Sequence, residues 1–377
     1  MPTEVAIAHD YLNQRGGAER VALAMARAFP GAPLYTALYE PETTFPQFAS
    51  VPVRVTWLNK LPFARRRHRL LLPLLAPTFS ALRVEADVVL CSSSGWSHGL
   101  RTSGRKIVYC YAPARWLYQT RRYLGDQASV SRVVATAGLA ALGPALRAWD
   151  RAAATSAHRY LAVSTETARA VAAAYGLEAE VLMPPIDLDP TLPAREVPGV
   201  EPGFWLCVSR LLPYKNVDAV LDGVRRHGGR LVVVGSGPER SRLELHAGPG
   251  ARFLGTVDDE QLRWCYANCK GLIAAAYEDF GLTPLEAAAF GKPTAALRAG
   301  GYLDTVVDGR TGCMFDAATG AKIAEALDRL EAMAVDPDVL VGQAERFSLG
   351  SFHARLREIV AEEGGAARAA RGVTARL

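Results

Sequence analysis

Short apolar runs alternate with helix-length segments along the chain, and the alternation stops once and then restarts. Glu4-Val-Ala-Ile-Ala reads as a strand, His9 to Gly17 as a loop, and Ala18 to Phe29 as a helix with Val21, Leu23, Met25 and Ala28 at apolar spacing. Further β-like runs follow at Pro33–Leu38, Asp87–Cys91, Lys106–Tyr111 and Tyr160–Val163. Strands separated by helices predict a parallel sheet covered on both faces, so the first half is α/β. Between Pro184 and Pro202 stand six prolines and four acids, which is linker chemistry. The pattern resumes with Phe204–Val208, a helix from Asn216 to Arg226, Arg230–Gly235, a helix through Leu243, Arg252–Leu254, a helix from Asp258 to Asn268, and Gly271–Ala275.

We therefore expect two Rossmann-like α/β domains, residues 1–190 and 200–350, facing each other across a cleft lined by strand-end loops. A C-terminal helix in 351–377, with Phe352, Leu356, Ile359 and Val360 on one face, should cross back to the first domain, and the last dozen residues should fray. A chain of 377 residues that is 50% hydrophobic and 21% charged can bury two cores and is not a disordered composition. Its six cysteines form no CxxC pair, which excludes a zinc ribbon and points to a reducing, cytoplasmic setting. No signal peptide or membrane span is expected from the N-terminus or from the longest weakly polar run, Val133–Leu146.

Charge is unevenly distributed. From Arg54 to Arg122 there are thirteen Lys and Arg against two acids, Glu85 and Asp87. Within it, Arg65-Arg-Arg-His-Arg69 runs directly into leucines, which suits peripheral docking on an anionic membrane face and equally a helix whose leucines enter a core. Nucleic acid is not expected as a partner, since no recognition motif accompanies the charge.

Three strand-end segments of the second half carry chemistry. Ser209-Arg210-Leu-Leu-Pro-Tyr-Lys215 places two cations before a helix start, an arrangement that suits a diphosphate. Val234-Gly235-Ser-Gly is a tight turn, used where backbone approaches a ligand or only where it must bend sharply. Glu278-Asp-Phe280-Gly281-Leu282-Thr283-Pro-Leu-Glu286 sets a carboxylate at a strand end, free amides of Leu282 and Thr283 at a helix start, and a second carboxylate one turn in, placed to accept hydrogen bonds from vicinal hydroxyls. Together they fit a sugar nucleotide, although glutamates near a helix start also serve as plain dipole partners. Asp258-Asp259 reads as a helix cap, so no metal-binding acid pair is recognised and no metal or other cofactor is expected.

These residues, with Ala289-Phe-Gly-Lys-Pro293 and Gly300-Gly-Tyr-Leu-Asp-Thr-Val-Val-Asp-Gly-Arg-Thr-Gly312, resemble retaining glycosyltransferases of the GT-B fold, family 4. His9-Asp-Tyr-Leu, Gly16-Gly-Ala-Glu19 and Ser209–Asn216 are similar to the O-antigen and exopolysaccharide mannosyltransferase branch. The resemblance implies that Arg210 and Lys215 hold the donor diphosphate, with GDP favoured over UDP, and that Glu286 binds the ribose. It implies that Glu278 and the Phe280–Leu282 backbone contact the donor sugar, and that Gly16 and Gly17 cover the phosphates from the other domain. It assigns His98, in Ser92-Ser-Ser-Gly-Trp-Ser-His98, to the donor sugar. Tyr111-Ala-Pro stands where the branch commonly reads His-Thr-Pro, a departure at the loop that carries the acceptor-binding candidates, Tyr111 and Arg115. The implied reaction is metal-independent, retaining transfer of a hexose, mannose by this resemblance, to a lipid-linked or glycan hydroxyl. A nucleotide-sugar epimerase of the same fold and an inactive carbohydrate-binding or scaffold relative are the alternatives.

Overall fold

The computed structural model describes residues 3–61, 72–118 and 130–374; the basic stretch Arg65–Arg69 lies outside the described residues. The chain divides into two compact units, Met1–Pro185 with Leu349–Leu377, and Ile186–Ser348.

Among the described residues, the first unit holds a seven-stranded sheet of β1 (Val5–His9), β2 (Leu34–Thr36), β3 (Val53–Val55), β4 (Val88–Ser93), β5 (Arg105–Cys110), β6 (Arg159–Ala162) and β7 (Glu180–Val181). Its order is β3-β2-β1-β4-β5-β6-β7, every pairing parallel. The direction of winding reverses between β1 and β4, the point where such sheets open a crevice at their carboxyl ends. Register there sets His9 beside Ser92.

The second unit holds β8 (Phe204–Val208), β9 (Leu231–Val234), β10 (Ala251–Gly255), β11 (Cys269–Ala274), β12 (Thr294–Leu297) and β13 (Gly312–Phe315), ordered β10-β9-β8-β11-β12-β13 and again parallel. Its reversal lies between β8 and β11. Alternation across the pleat is clean: Trp205 and Cys207 enter one core layer with Leu231 and Val233, while Phe204 and Leu206 enter the opposite layer with Val232 and Val234. Being buried on both faces, these strands carry no polar side, which is why they read as continuous apolar runs.

Four strands escaped the sequence reading. β3 and β7 are three and two residues long, and β12 and β13 are four-residue segments rich in small side chains. The C-terminal helix runs from Leu349 to Thr374 and continues through the Gly364-Gly365 pair. His353 Nε2 donates to Ala24 O at 2.9 Å and Arg357 Nε to Ala28 O at 3.1 Å, so this helix satisfies carbonyls at the end of helix Gly17–Ala28. Gly364 lies where a Cβ would come within 2.6 Å of the Thr3 side chain, so a larger residue there would have to displace Thr3. All six cysteines are buried free thiols.

Candidate functional site

The candidate site of the second unit is built on loops that leave β8 and β11, neighbours at the reversal. After β8 the chain turns through Ser209-Arg210 into a 3₁₀ turn, Pro213–Lys215, and then helix Val217–His227. Asn216 joins the two with φ 54° and is the one non-glycine residue at positive φ among the described residues. A short amide side chain tolerates that conformation, and here it donates from Nδ2 to Ala275 O at 2.8 Å, tying the loop to the end of β11. Lys215 is buried, 7% exposed, and its ammonium forms an ion pair with the Glu278 carboxylate, which is 30% exposed. Arg210 is exposed, with Nη2 3.3 Å from Tyr214 Oη, and the Lys215 ammonium lies 4.9 Å over the Tyr214 ring.

The turn at Gly235 is explained by close packing. Its φ is 129°, and a Cβ there would sit 2.0 Å from Ser209 O. Gly235 therefore sets the position of the Arg210 loop through backbone contact.

Helix Leu282–Ala289 begins at Gly281, whose φ is 89° and which offers no side-chain cap. Leu282 and Thr283 thus present first-turn amides that no capping side chain satisfies, and Pro284 has no N–H to satisfy. One turn further, Glu286 Oε2 accepts from the hydroxyl of buried Tyr266 at 2.7 Å, and Tyr266 in turn stacks on Phe290 at 5.6 Å. A second loop braces the first: Gly301 N donates to Glu278 O at 2.8 Å, and a Cβ on Gly300 or Gly301 would lie 2.2 Å from Glu278 O or the Phe280 backbone. The fold thus brings Lys215, Glu278, Phe280, Gly281, Leu282 and Thr283 together at one end of the sheet, with Glu286 on the helix that follows. Tyr266, Asn216 and the Gly300–Tyr302 brace were not singled out as site residues. Their roles depend on partners 20 or more positions away, so local spacing carries no signal for them.

In the first unit, Gly16 is the N-cap and Gly17 the first residue of helix Gly17–Ala28. The helix start rests on a buried chain of hydroxyls. Tyr111 Oη donates to Ala18 O at 3.0 Å, Ser92 Oγ lies 2.8 Å from Tyr111 Oη, and His9 Nδ1 lies 2.8 Å from Ser92 Oγ. Because Tyr111 has one proton and gives it to the carbonyl, Ser92 donates to Tyr111 and His9 donates from Nδ1 to Ser92. Burial drops the His9 pKa to about 4, against bonds to Ser92 and Tyr11 that raise it. Asp10 accepts from the amides of Ser94 and Ser97, both at 2.7 Å. Glu19 is 1% exposed, accepts from Gln14 Nε2 at 2.9 Å, and leaves Oε2 without a partner beside Gly16. Burial lifts its pKa to about 7, with the Gln14 bond opposing.

Two further residues of the expected site, His98 and Tyr111, lie in the first unit. His98 is 1% exposed: Nδ1 lies 2.8 Å from Ser93 Oγ and Nε2 3.1 Å from Asp150 Oδ1, with Trp149 alongside at 5.9 Å. Ser92 and Ser93 are successive strand residues and point to opposite faces, so His98 is on the other side of the sheet from the Gly16–Tyr111 chain. It is a buried histidine whose Nδ1 is hydrogen-bonded and whose Nε2 faces the Asp150 carboxylate without a hydrogen bond. Tyr111 engages its hydroxyl with Ala18 and Ser92, holding the start of helix Gly17–Ala28. Arg115 opens the short helix Arg115–Tyr118.

Comparison with known proteins agrees with this architecture. A family model described as Glycosyltransferase Family 4 matches residues 15–190, and one described as Glycosyl transferases group 1 matches residues 190–346. A GDP-mannose-dependent alpha-mannosyltransferase of Mycobacterium tuberculosis is 32% identical over 261 residues, 64% of this chain and 65% of that protein. A Pseudomonas aeruginosa glycogen synthase is 37% identical over 144 residues, 35% of this chain; the matched part is only 28% of that relative's length. Among solved structures, Anabaena HepE in complex with UDP-glucose superposes with a TM-score of 0.68 at 18% identity, covering 95% of this chain and 99% of that one, a likeness of fold. With two doubly wound parallel sheets, a family 4 first half and a group 1 second half, the chain belongs to the GT-B glycosyltransferases of the family 4 type.

Proposed function

We propose that this chain transfers a hexose, mannose from GDP-mannose as the first choice, to a hydroxyl of a lipid-linked or glycan acceptor, with retention and without a metal. The observation that carries the reading is the buried Lys215 paired with Glu278 beside the uncapped start of helix Leu282–Ala289. Cations and free amides converge there on a place for a diphosphate, and two carboxylates, Glu278 and Glu286, stand ready for sugar and ribose hydroxyls. GDP is preferred over UDP because the mannosyltransferase similarity extends across both halves, whereas the UDP-glucose complex is related by fold alone.

In this mechanism the bond between the sugar C1 and the β-phosphate oxygen breaks, and negative charge grows on the departing diphosphate. Arg210, Lys215 and the Leu282 and Thr283 amides stabilise that charge. The acceptor hydroxyl forms the new C1–O bond on the same face, and its proton passes to the departing phosphate oxygen. Lys215 starts neutralised by Glu278, so a diphosphate competes with the carboxylate for the ammonium. A Glu278 freed in that way turns to the sugar.

A lipid-linked acceptor is supported by the edge of the first sheet. Val55, Trp57 and Leu74 are 44%, 50% and 39% exposed. Their neighbours Leu58 and Leu75 share one core cluster, and Arg54 and Lys60 flank them. No acid occurs between Glu42 and Glu85. Exposed Trp and aliphatic side chains among cations suit the interface of an anionic bilayer. Among the described residues no helix is long and apolar enough to cross a membrane.

The test is a thermal-shift panel of GDP-, UDP- and dTDP-sugars, with magnesium or with EDTA, on the wild type, Lys215→Ala and Glu286→Ala. A shift of a few degrees with one base, insensitive to EDTA and lost in both variants, is expected. No shift with any donor favours the scaffold alternative, and interconversion of the sugar without acceptor favours the epimerase.

A further inference from the structure

Tyr302 follows the glycine pair that braces the Glu278 loop, and it is 3% exposed. Its ring lies in the core layer with Val306, Met314, Leu272 and Ala274 and covers Gly281, where a Cβ would sit 2.4 Å from Cδ1 and 2.5 Å from Cε1. Among the described residues the hydroxyl has no hydrogen-bond partner, yet it is not sealed from solvent. Burial raises its pKa well above the usual tyrosine value, and the neighbouring charge of Glu278 adds to this, with Cys207 and Tyr214 behind. A tyrosine almost wholly inside a protein ordinarily finds a partner for its hydroxyl, because a buried unpaired donor is costly. Here the ring has a packing role, and the hydroxyl adds only an unmet hydrogen-bonding capacity beside the Lys215–Glu278 pair.

We propose that the Tyr302 hydroxyl is a donor-binding group, giving a hydrogen bond to an oxygen of the bound nucleotide sugar at the Glu278 end of the site. This rests on the nucleotide-sugar reading above and adds a residue to it. Glu278 and Glu286 accept hydrogen bonds when ionised, and Lys215 carries full charge. A neutral phenol supplies a donor that can also accept, which suits a sugar hydroxyl as well as a phosphate oxygen.

Tyr302→Phe keeps the ring over Gly281 and removes only the oxygen. Its melting temperature is expected within about 1 °C of the wild type, because no intramolecular bond is lost. Its affinity for the nucleotide sugar preferred by the wild type, measured by calorimetry, is expected to fall about tenfold. Titration with the free nucleoside diphosphate locates the contact: an equal loss assigns it to the diphosphate, and an unchanged affinity assigns it to the sugar. Wild-type-like affinity for both ligands in Tyr302→Phe overturns the proposal, as does a fall of several degrees in melting temperature, which would make the hydroxyl structural. If the wild type binds no nucleotide sugar, the functional reading itself fails, and that result is visible before any variant is made.

Discussion

Gly281→Ala tests whether the start of helix Leu282–Ala289 is held by the aromatic ring beneath it. Two separate penalties follow from the geometry. Gly281 has φ 89°, and an alanine held in the left-handed region costs about 1–2 kcal/mol. The new methyl would also lie 2.4 Å from Tyr302 Cδ1, closer than any real contact, and forcing a buried ring aside costs about 1–3 kcal/mol. The sum, roughly 2–5 kcal/mol, is a large part of the stability of an ordinary domain. At about 2–4 °C per kcal/mol for a unit the size of Ile186–Ser348, the melting transition should drop by roughly 4–20 °C. In a Tyr302→Ala background the steric part disappears and only the backbone part stays, so the same substitution should cost only about 1–2 kcal/mol. The four proteins form a double-mutant cycle read by scanning calorimetry, with a coupling of about 1–3 kcal/mol expected. An equal drop in both backgrounds would refute the contact, and a drop below about 2 °C in the wild-type background would refute the strain.

Other consequences are more briefly stated. Glu278→Gln removes the counter-charge of a lysine that is 7% exposed; with Glu278 itself 30% exposed, the cost should be about 1–2 kcal/mol of stability, and donor turnover should fall by about 100-fold in a sugar-transfer assay. Tyr266→Phe frees Glu286 from its 2.7 Å hydrogen bond and should weaken donor binding about fivefold by calorimetry, with little change in turnover at saturation. Glu19 takes up its proton more readily folded, with a pKa of about 7, than unfolded, so its ionisation destabilises the protein progressively from about pH 4.5 to 7. Glu19→Gln should therefore match the wild type below pH 4.5 and exceed it by up to about 3 kcal/mol above pH 7 in denaturant titrations; a constant difference across pH would exclude this assignment. His9, held at about 4, acts in the opposite sense, and its contribution should rise between pH 4 and 6.5 in both proteins. Trp57→Ser with Lys60→Glu should lower binding to anionic vesicles at least tenfold at low salt, and unaltered flotation would remove the bilayer from the reading.

The doubly wound character of both halves was legible because a strand buried on both faces must be apolar throughout and must be separated from the next by a helix. Phe204–Val208 and Leu231–Val234 satisfy both conditions within a few residues. The Glu278–Glu286 segment was legible for a similar reason, since a glycine, a proline and a carboxylate at helix-start spacing describe one turn of backbone. Pairing was a different matter. Lys215 and Glu278 are 63 residues apart and meet because β8 lies beside β11, and nothing near either residue specifies that strand order. His98 stands in a strand-end loop, as a ligand-binding histidine would, but the one-residue step from Ser92 to Ser93 turns it to the far face, where Ser93 holds it beside Asp150. Tyr302 and Gly281 meet only once two loops are folded together. Local chemistry thus belongs to the amino-acid sequence by itself, because period, turn and cap are properties of neighbouring residues. Which charge is neutralised, which histidine is enclosed and which hydroxyl is left over are set by the tertiary structure, because sheet order and the side of the pleat choose the partners.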